Sequence, residues 1–257
     1  MTAILLDIEG VLQVSGEAVL GAPDAVRALR EEGHRLRFVT NNTTRARDQL
    51  AGELQAIGFD LAGEDITTTP LAAGKLLQGK RVFALTMDSI RDDLAEYVEL
   101  VSDGADAVLL GGADESDETG DVFSYDNLNK AFAELREGAR LVCLHKNRWW
   151  QTSRGPLLDA GAFVAGLEYA AGVKAEIVGK PTAAYFEAAL AEVDATPAEA
   201  VMVGDDVEAD IGGAMDAGLA GILVRTGKYR EDLVRKSGIE PIATVDSIAD
   251  VPDLLLI

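Results

Sequence analysis

The sequence predicts an α/β protein built on a mostly parallel sheet with helices on both faces. Short apolar runs alternate along the chain with longer segments of helical period, and several of those segments stop at glycine. The runs are Ala3–Leu6, Leu36–Val39, Val82–Leu85, Ala107–Leu110, Leu141–Leu144, Ala175–Val178, Ala200–Val203 and Gly221–Val224, each a buried strand in this reading. Between them, Pro23–Glu32, Arg45–Ile57, Leu128–Arg136, Ala183–Val193 and Glu208–Ala217 read as helices, with Gly33, Gly58, Gly138 and Gly218 at stop positions. An α+β arrangement is the alternative that single-sequence periodicity leaves open.

Composition narrows the function classes. The 257 residues, 48% hydrophobic and 26% charged, suffice for one large domain or two ordinary ones. With 23 basic against 44 acidic residues the formal net charge is −21, which repels phosphate backbones and anionic lipid, so neither nucleic acid nor a membrane surface is expected as partner. The single cysteine, Cys143, lies in the apolar run Leu141–Leu144; it excludes a disulfide framework and reads as a buried, inert thiol. The N-terminus has no basic leader, and no apolar run approaches the roughly 18 residues needed to span a bilayer. The expectation is a soluble, cytoplasmic protein. Asp103–Asp121, with seven carboxylates, reads as a solvated loop. Its place between two strand–helix groups suggests that the middle of the chain folds as its own inserted unit.

In an open parallel sheet, ligands gather beyond the carboxyl ends of the strands. Four polar groups occupy such ends: Asp7 and Glu9 in Leu6-Asp7-Ile8-Glu9-Gly10, Thr40-Asn41-Asn42-Thr43, Lys180 after Ile177-Val178-Gly179, and Asp205, Asp206 and Asp210 after Val201-Met202-Val203-Gly204. Together they suit phosphoryl transfer, in which catalysis is mostly positioning and charge neutralisation. Asp7 is the candidate nucleophile, and Mg²⁺ the candidate cation for a carboxylate, carbonyl and water shell. The Thr40 hydroxyl would hold phosphate oxygens and Lys180 would supply a point charge. Asp205 would complete the metal shell, with Asp206 or Asp210 orienting it or its waters. Each piece has a bland counterpart: a turn, a helix N-cap before Arg45, a surface lysine ahead of a helix, first-turn acids. Their joint occurrence at strand ends favours chemistry. No Gly-x-Gly-x-x-Gly follows the first run, which argues against a dinucleotide enzyme.

These residues, in this order, resemble the four motifs of the haloacid dehalogenase superfamily phosphatases. Val203-Gly204-Asp205-Asp206 with Asp210-Ile211-Gly212-Gly213, Val224-Arg225-Thr226-Gly227-Lys228-Tyr229, Gly166-Leu167-Glu168-Tyr169-Ala170 and Val178-Gly179-Lys180-Pro181 resemble, more narrowly, the phospholysine phosphohistidine inorganic pyrophosphate phosphatase branch. The resemblance runs from Ala3 to about Tyr229. It implies a Rossmann-like doubly wound core over residues 1–75 and 179–257, with an α/β cap over residues 76–178 that closes on the site and selects the substrate. It implies a Mg²⁺-dependent hydrolase acting on a small phosphorylated compound through an aspartyl-phosphate. Asp7, the Glu9 carbonyl and Asp205 would be metal ligands, and Thr40, Asn41 and Lys180 would bind phosphate. A homodimer through the caps is also implied, and His145–Trp150 resembles a basic-aromatic segment of the branch.

Glu9 departs from the pattern, because most superfamily phosphatases have Asp there as general acid. Its extra methylene puts efficient acid–base chemistry in question, since a misplacement of about 1 Å can cost roughly a hundredfold. If that methylene is the handicap, Glu9→Asp should raise turnover. The competing expectation is a low-activity phosphate-binding or regulatory protein on the same scaffold.

Overall fold

The computed structural model describes residues 2–116, 118–152 and 155–255. Seven of the eight apolar runs form the expected strands; Ala175–Val178 yields only the two-residue strand Glu176–Ile177, exposed at a sheet edge instead of buried, and the eight divide between two parallel sheets in two compact units. One unit comprises Met1–Thr40, Arg47–Thr67 and Lys180–Ile257; the other comprises Asn41–Ala46 and Thr68–Gly179.

The first unit carries a six-stranded parallel sheet in the order Ala243–Val245, Ala220–Val224, Ala200–Gly204, Ala3–Asp7, Arg35–Val39, Ile66–Thr67. Ala3–Asp7 is buried along its whole length, as a central strand covered on both faces must be. Alternate residues supply the two faces: Ile4 and Leu6 join Val26, Leu29, Leu50 and Leu54 in one core, so Leu5 faces the other side. That other face includes Leu223 with Val207 and Ile211. Ala22–Glu31 shows the logic of the covering helices. Ala22, Ala25, Val26 and Leu29 form a stripe at helical spacing, Pro23 and Asp24 suit the first turn, and Gly33 ends the segment at φ 83°.

From the central strand Ala3–Asp7 the chain moves one way through Arg35–Val39 to Ile66–Thr67, and later the opposite way through Ala220–Val224 to Ala243–Val245. The direction reverses between Ala3–Asp7 and Ala200–Gly204, the position in a doubly wound sheet where loops splay and leave a crevice. The helix expected over Glu208–Ala217 differs from its reading: Val207–Gly212 is a π-helical turn, followed by a short α-helix, Gly213–Asp216. The widened turn accompanies Gly212-Gly213, the latter pressed against Pro181, where a Cβ would come within 2.6 Å.

The second unit holds a five-stranded parallel sheet in the order Glu176–Ile177, Arg140–Cys143, Ala107–Leu110, Arg81–Leu85, Glu99–Leu100, and an antiparallel pair, Trp149–Thr152 with Gly155–Leu158. Helices Tyr125–Arg136 and Ala160–Ala171 contribute Ala131, Leu135, Val164 and Leu167 to its core. Asp103–Asp121 is not one solvated loop: it contains the fully buried strand Ala107–Leu110, and its Asp117 lies outside the described residues. Its acids sit on the flanks, where Asp106 accepts from the Arg81 N–H and Asp114 from Ser116 and Thr119. Burial pushes the Cys143 thiol up to about 12, which makes it inert. Among the described residues, no helix is long and apolar enough to cross a membrane.

Candidate active site

The reversal point of the first sheet collects the charged residues of its loops. Asp7 is the last residue of the central strand, Asp205 follows Ala200–Gly204, and Asp210 lies in the π-helical turn Val207–Gly212. Lys180 stands three residues ahead of the helix Ala183–Ala191. Asp7, Asp205, Asp210 and Lys180 are all buried, between 1% and 8% exposed, so the surface-lysine reading of Gly-Lys-Pro does not hold. Carboxylate oxygens of the three aspartates lie within 4.8 Å of one another. The Lys180 ammonium donates to Asp7 Oδ1 at 2.6 Å and to Asp210 Oδ1 at 2.7 Å.

Asp210 is the pivot. Its second oxygen accepts from the backbone N–H of Asp205 at 3.2 Å and of Asp206 at 3.1 Å, so it ties the loop after Ala200–Gly204 to Lys180. Gly204 permits this approach, because a Cβ there would fall 2.3 Å from that of Asp210. Asp206 acts at the neighbouring turn, where its Oδ1 caps Val207–Gly212 by accepting from the N–H groups of Glu208 and Ala209, both at 3.0 Å.

Three carboxylates gather around one buried ammonium, and the imbalance shows in the acidities of Asp7 and Asp205. Burial raises Asp7 to about 8; Lys180 opposes that rise, while Asp210 and Asp205 add to it. Burial likewise lifts Asp205 to about 6, against the Lys228 N–H that stabilises its charge. Burial works against the Lys180 ammonium too, but Asp210 and Asp7 outweigh it and hold Lys180 charged above its ordinary range.

The donor set suits a hard divalent cation. It is all oxygen, it carries surplus negative charge, and Asp205 Oδ1 is buried without a hydrogen-bond partner. A cation there would supply the missing partner and reverse the pressure that keeps Asp7 protonated.

Thr40 lies at the end of Arg35–Val39, on the strand next to Asp7, whose register partner is Val39. Its backbone N–H reaches the Tyr185 hydroxyl at 2.8 Å, and that hydroxyl lies 2.7 Å from the Thr67 carbonyl. Tyr185, fully buried in the helix after Lys180, thus sets the path of the Thr40 backbone. Nothing in the sequence pattern marked it, since a Tyr in an apolar helix reads as core. Asn41 belongs to the second unit and is exposed. The next residue, Asn42, makes the turn there by accepting from the N–H groups of Thr44 and Arg45.

The Glu9 side chain stands apart from the aspartates. It is exposed, and its carboxylate accepts from Gln13 Nε2 at 3.3 Å and from the Ser15 N–H at 3.2 Å. Both partners belong to the hairpin of Gln13–Val14 and Glu17–Ala18, whose turn places Ser15 at φ 54° and Gly16 at φ 83°.

Comparison with known proteins agrees with this geometry. A haloacid dehalogenase-like hydrolase family model matches residues 4–98, and a HAD-hydrolase-like model matches residues 177–251. Over 261 residues the chain is 37% identical to human phospholysine phosphohistidine inorganic pyrophosphate phosphatase, covering 98% of this chain and 93% of that protein. The chain belongs to the haloacid dehalogenase-like hydrolases. It is a phosphatase of that family. NagD from Escherichia coli K-12 is similar in structure, with a TM-score of 0.86 and 27% identity over 97% of this chain and 98% of that one. A glycerol phosphate phosphatase from Mycobacterium tuberculosis, solved with magnesium, is 31% identical with a TM-score of 0.76, over 88% of this chain and 68% of that one.

In the second unit, the basic residues of His145–Trp150 are partly engaged among themselves and their neighbours. His145 Nδ1 accepts from the Asn147 N–H, its Nε2 stands 3.5 Å from Asp159, and Lys146 pairs with Glu168 at 2.7 Å. The Trp150 side chain lies outside the described residues.

Proposed function

We propose that this phosphatase is Mg²⁺-dependent and hydrolyses a small phosphorylated compound, whether ester, phosphoamide or pyrophosphate, through an aspartyl-phosphate on Asp7. The supporting observation is the buried surplus of carboxylate around Lys180, with Asp205 Oδ1 left without a partner. Asp7, the Glu9 carbonyl and Asp205 would hold the ion, which when bound neutralises charge on the phosphoryl oxygens. Lys180 and the Thr40 hydroxyl bind the remaining phosphate oxygens, with Asn41 as a further contact, and Asp210 and Asp206 keep Lys180 and the Asp205 loop in place.

In the first step an Asp7 oxygen attacks phosphorus and the bond to the leaving group breaks, with Glu9 giving that group its proton. In the second, water attacks phosphorus, Glu9 takes up the water's proton, and the acyl-phosphate bond breaks to regenerate Asp7. Residues 76–178 act as the cap that selects the substrate, the chain works as a homodimer, and its setting is the cytoplasm.

The test is release of phosphate from a panel of phosphate esters, phosphoamides and pyrophosphate, with and without Mg²⁺, comparing wild type with Asp7→Asn. The expected result is metal-dependent hydrolysis that falls by about 10⁵-fold or more in the variant, the scale of losing a nucleophile. Hydrolysis that survives Asp7→Asn, or that ignores chelation, would refute the reading.

A further inference from the structure

We propose that the turn Thr226-Gly227-Lys228, which follows the strand Ala220–Val224, is the positioning element that fixes Asp205 for the cation; this rests on the magnesium reading above. Asp205 Oδ2 accepts the Lys228 N–H at 2.6 Å, so one of its two oxygens is used by the backbone. The same oxygen is pressed from two sides by glycine. A Cβ on Gly10 would lie 1.9 Å from it, and a Cβ on Gly227 would lie 2.0 Å from it. Both glycines have positive φ, +94° and +60°, so the backbone conformation and the lack of a side chain are needed together. The Thr226 hydroxyl closes the slot by donating to the Gly10 carbonyl at 2.5 Å, and a Cβ on Gly227 would also come within 2.6 Å of the Gly10 Cα.

The consequence falls on the other oxygen. With Oδ2 held, the carboxylate cannot rotate, and Oδ1 is left buried without a partner. The rotation of an aspartate carboxylate about its last torsion is ordinarily broad, so a free Asp205 would have to be ordered each time a cation bound. Here the ordering is built in, and the Asp205 oxygen without a partner, Oδ1, is the one a cation can take. The Thr226 hydroxyl does this through the Gly10 backbone, not by touching the ion.

Titration calorimetry of Mg²⁺ into the full chain, stripped with chelator beforehand, measures the effect directly. Thr226→Val keeps the side-chain volume and removes the hydroxyl. It should weaken binding by about tenfold or more, as loss of an outer partner commonly does. Thr226→Ser should restore it, and turnover of the Val variant should recover at high Mg²⁺, with the metal requirement shifted more than kcat. Gly227→Ala should weaken binding further; its thermal unfolding in chelator reports separately on whether it folds, and Thr226→Val carries the test if it does not. Wild-type affinity in Thr226→Val, or equal loss in Thr226→Ser and Thr226→Val, would overturn the inference while leaving the magnesium reading intact. No Mg²⁺ binding by wild type, or undiminished binding by Asp205→Asn, would remove both.

Discussion

Arg37 and Lys180 are both buried cations in the same unit, 3% and 8% exposed, yet their surroundings differ in kind. Arg37 spends its guanidinium on structure: Nε donates to Thr67 Oγ1 at 2.6 Å, the other nitrogens reach the carbonyls of Glu64 and Ile66, and Glu192 lies 3.4 Å away. Its hydrogen-bond partners are neutral carbonyls and a hydroxyl, with Glu192 in ion-pair range and Asp65 also favouring its charge, so the cation is matched without a crowd of carboxylates around it. Lys180 instead meets Asp7 and Asp210 with Asp205 close by, and one carboxylate oxygen is left without a partner. A buried charge that is balanced stitches a sheet edge together, whereas a buried surplus marks a place that awaits a ligand.

Replacing each cation by methionine separates the two cases. Lys180→Met leaves Asp7 and Asp210 facing each other with no counter-charge and removes a phosphate contact. The expected outcome is loss of measurable turnover together with destabilisation of about 3–5 kcal/mol at neutral pH, the cost of breaking a buried ion pair. Arg37→Met should cost a similar amount, about 3–5 kcal/mol, by stranding the Glu64 and Ile66 carbonyls and removing a buried charge from its ion pair. Its folded fraction should turn over substrate within about twofold of wild type, since Arg37 does not touch the aspartates. Denaturant melts and active-site-normalised rates distinguish the pair; a large kcat loss in Arg37→Met would break the contrast.

The same surplus predicts how stability of the metal-free protein depends on pH. Asp7 is raised from 3.8 to about 8 and Asp205 from 3.8 to about 6. A carboxyl whose folded value is raised contributes stability that is fully present below its unfolded value and is lost as pH rises through the folded one. In chelator, Tm should therefore fall as pH rises from about 4 to about 8 through these two groups. Asp7→Asn should flatten the upper part of that fall. Saturating Mg²⁺ should oppose it, because the ion binds the ionised carboxylates and its stabilisation grows with pH. A metal-free Tm that rises across this range in wild type, yet is level in Asp7→Asn, would contradict the assignment of a raised Asp7.

Much of this was legible along the chain because strand ends are local features. Leu6-Asp7, Val39-Thr40 and Gly204-Asp205 each put a polar residue directly after an apolar run, and a parallel sheet brings such ends to one edge whatever the loops do. Periodicity alone does not divide the strands between two sheets, since it identifies strands without pairing them; the expectation of a second unit comes from the position of Asp103–Asp121 and from the family resemblance. Ile66–Thr67, Glu99–Leu100 and Ala243–Val245 escaped notice because so few residues give no pattern, and Ala160–Ala171 because it is apolar almost all round. Within the site, Asp210 was named as an orienting group, but its bonds to Lys180 and to the Asp205 and Asp206 N–H groups needed the fold. Tyr185 was missed for the same reason, and Gly227, named only within a motif of the resemblance, showed no contact there, their partners being as remote as Thr40 and Gly10.

The smallest expected effect concerns Glu9, and here the structure sharpens what the sequence left open. The longer side chain reaches back to its hairpin, where Gln13 Nε2 and the Ser15 N–H both hold it. Gln13 is buried, and Ser15 adopts a left-handed backbone that few non-glycine residues accept, so the two donors are fixed before any substrate arrives. An aspartate, one methylene shorter, cannot keep both bonds. Glu9→Asp should therefore lower turnover, by about tenfold or less since an acid remains. The loss should be greater for glycerol phosphate, whose alkoxide needs a proton to leave, than for p-nitrophenyl phosphate, whose phenolate does not. A faster Glu9→Asp enzyme on both substrates would mean that the methylene is a handicap and that the hairpin contacts hold Glu9 in an unproductive position.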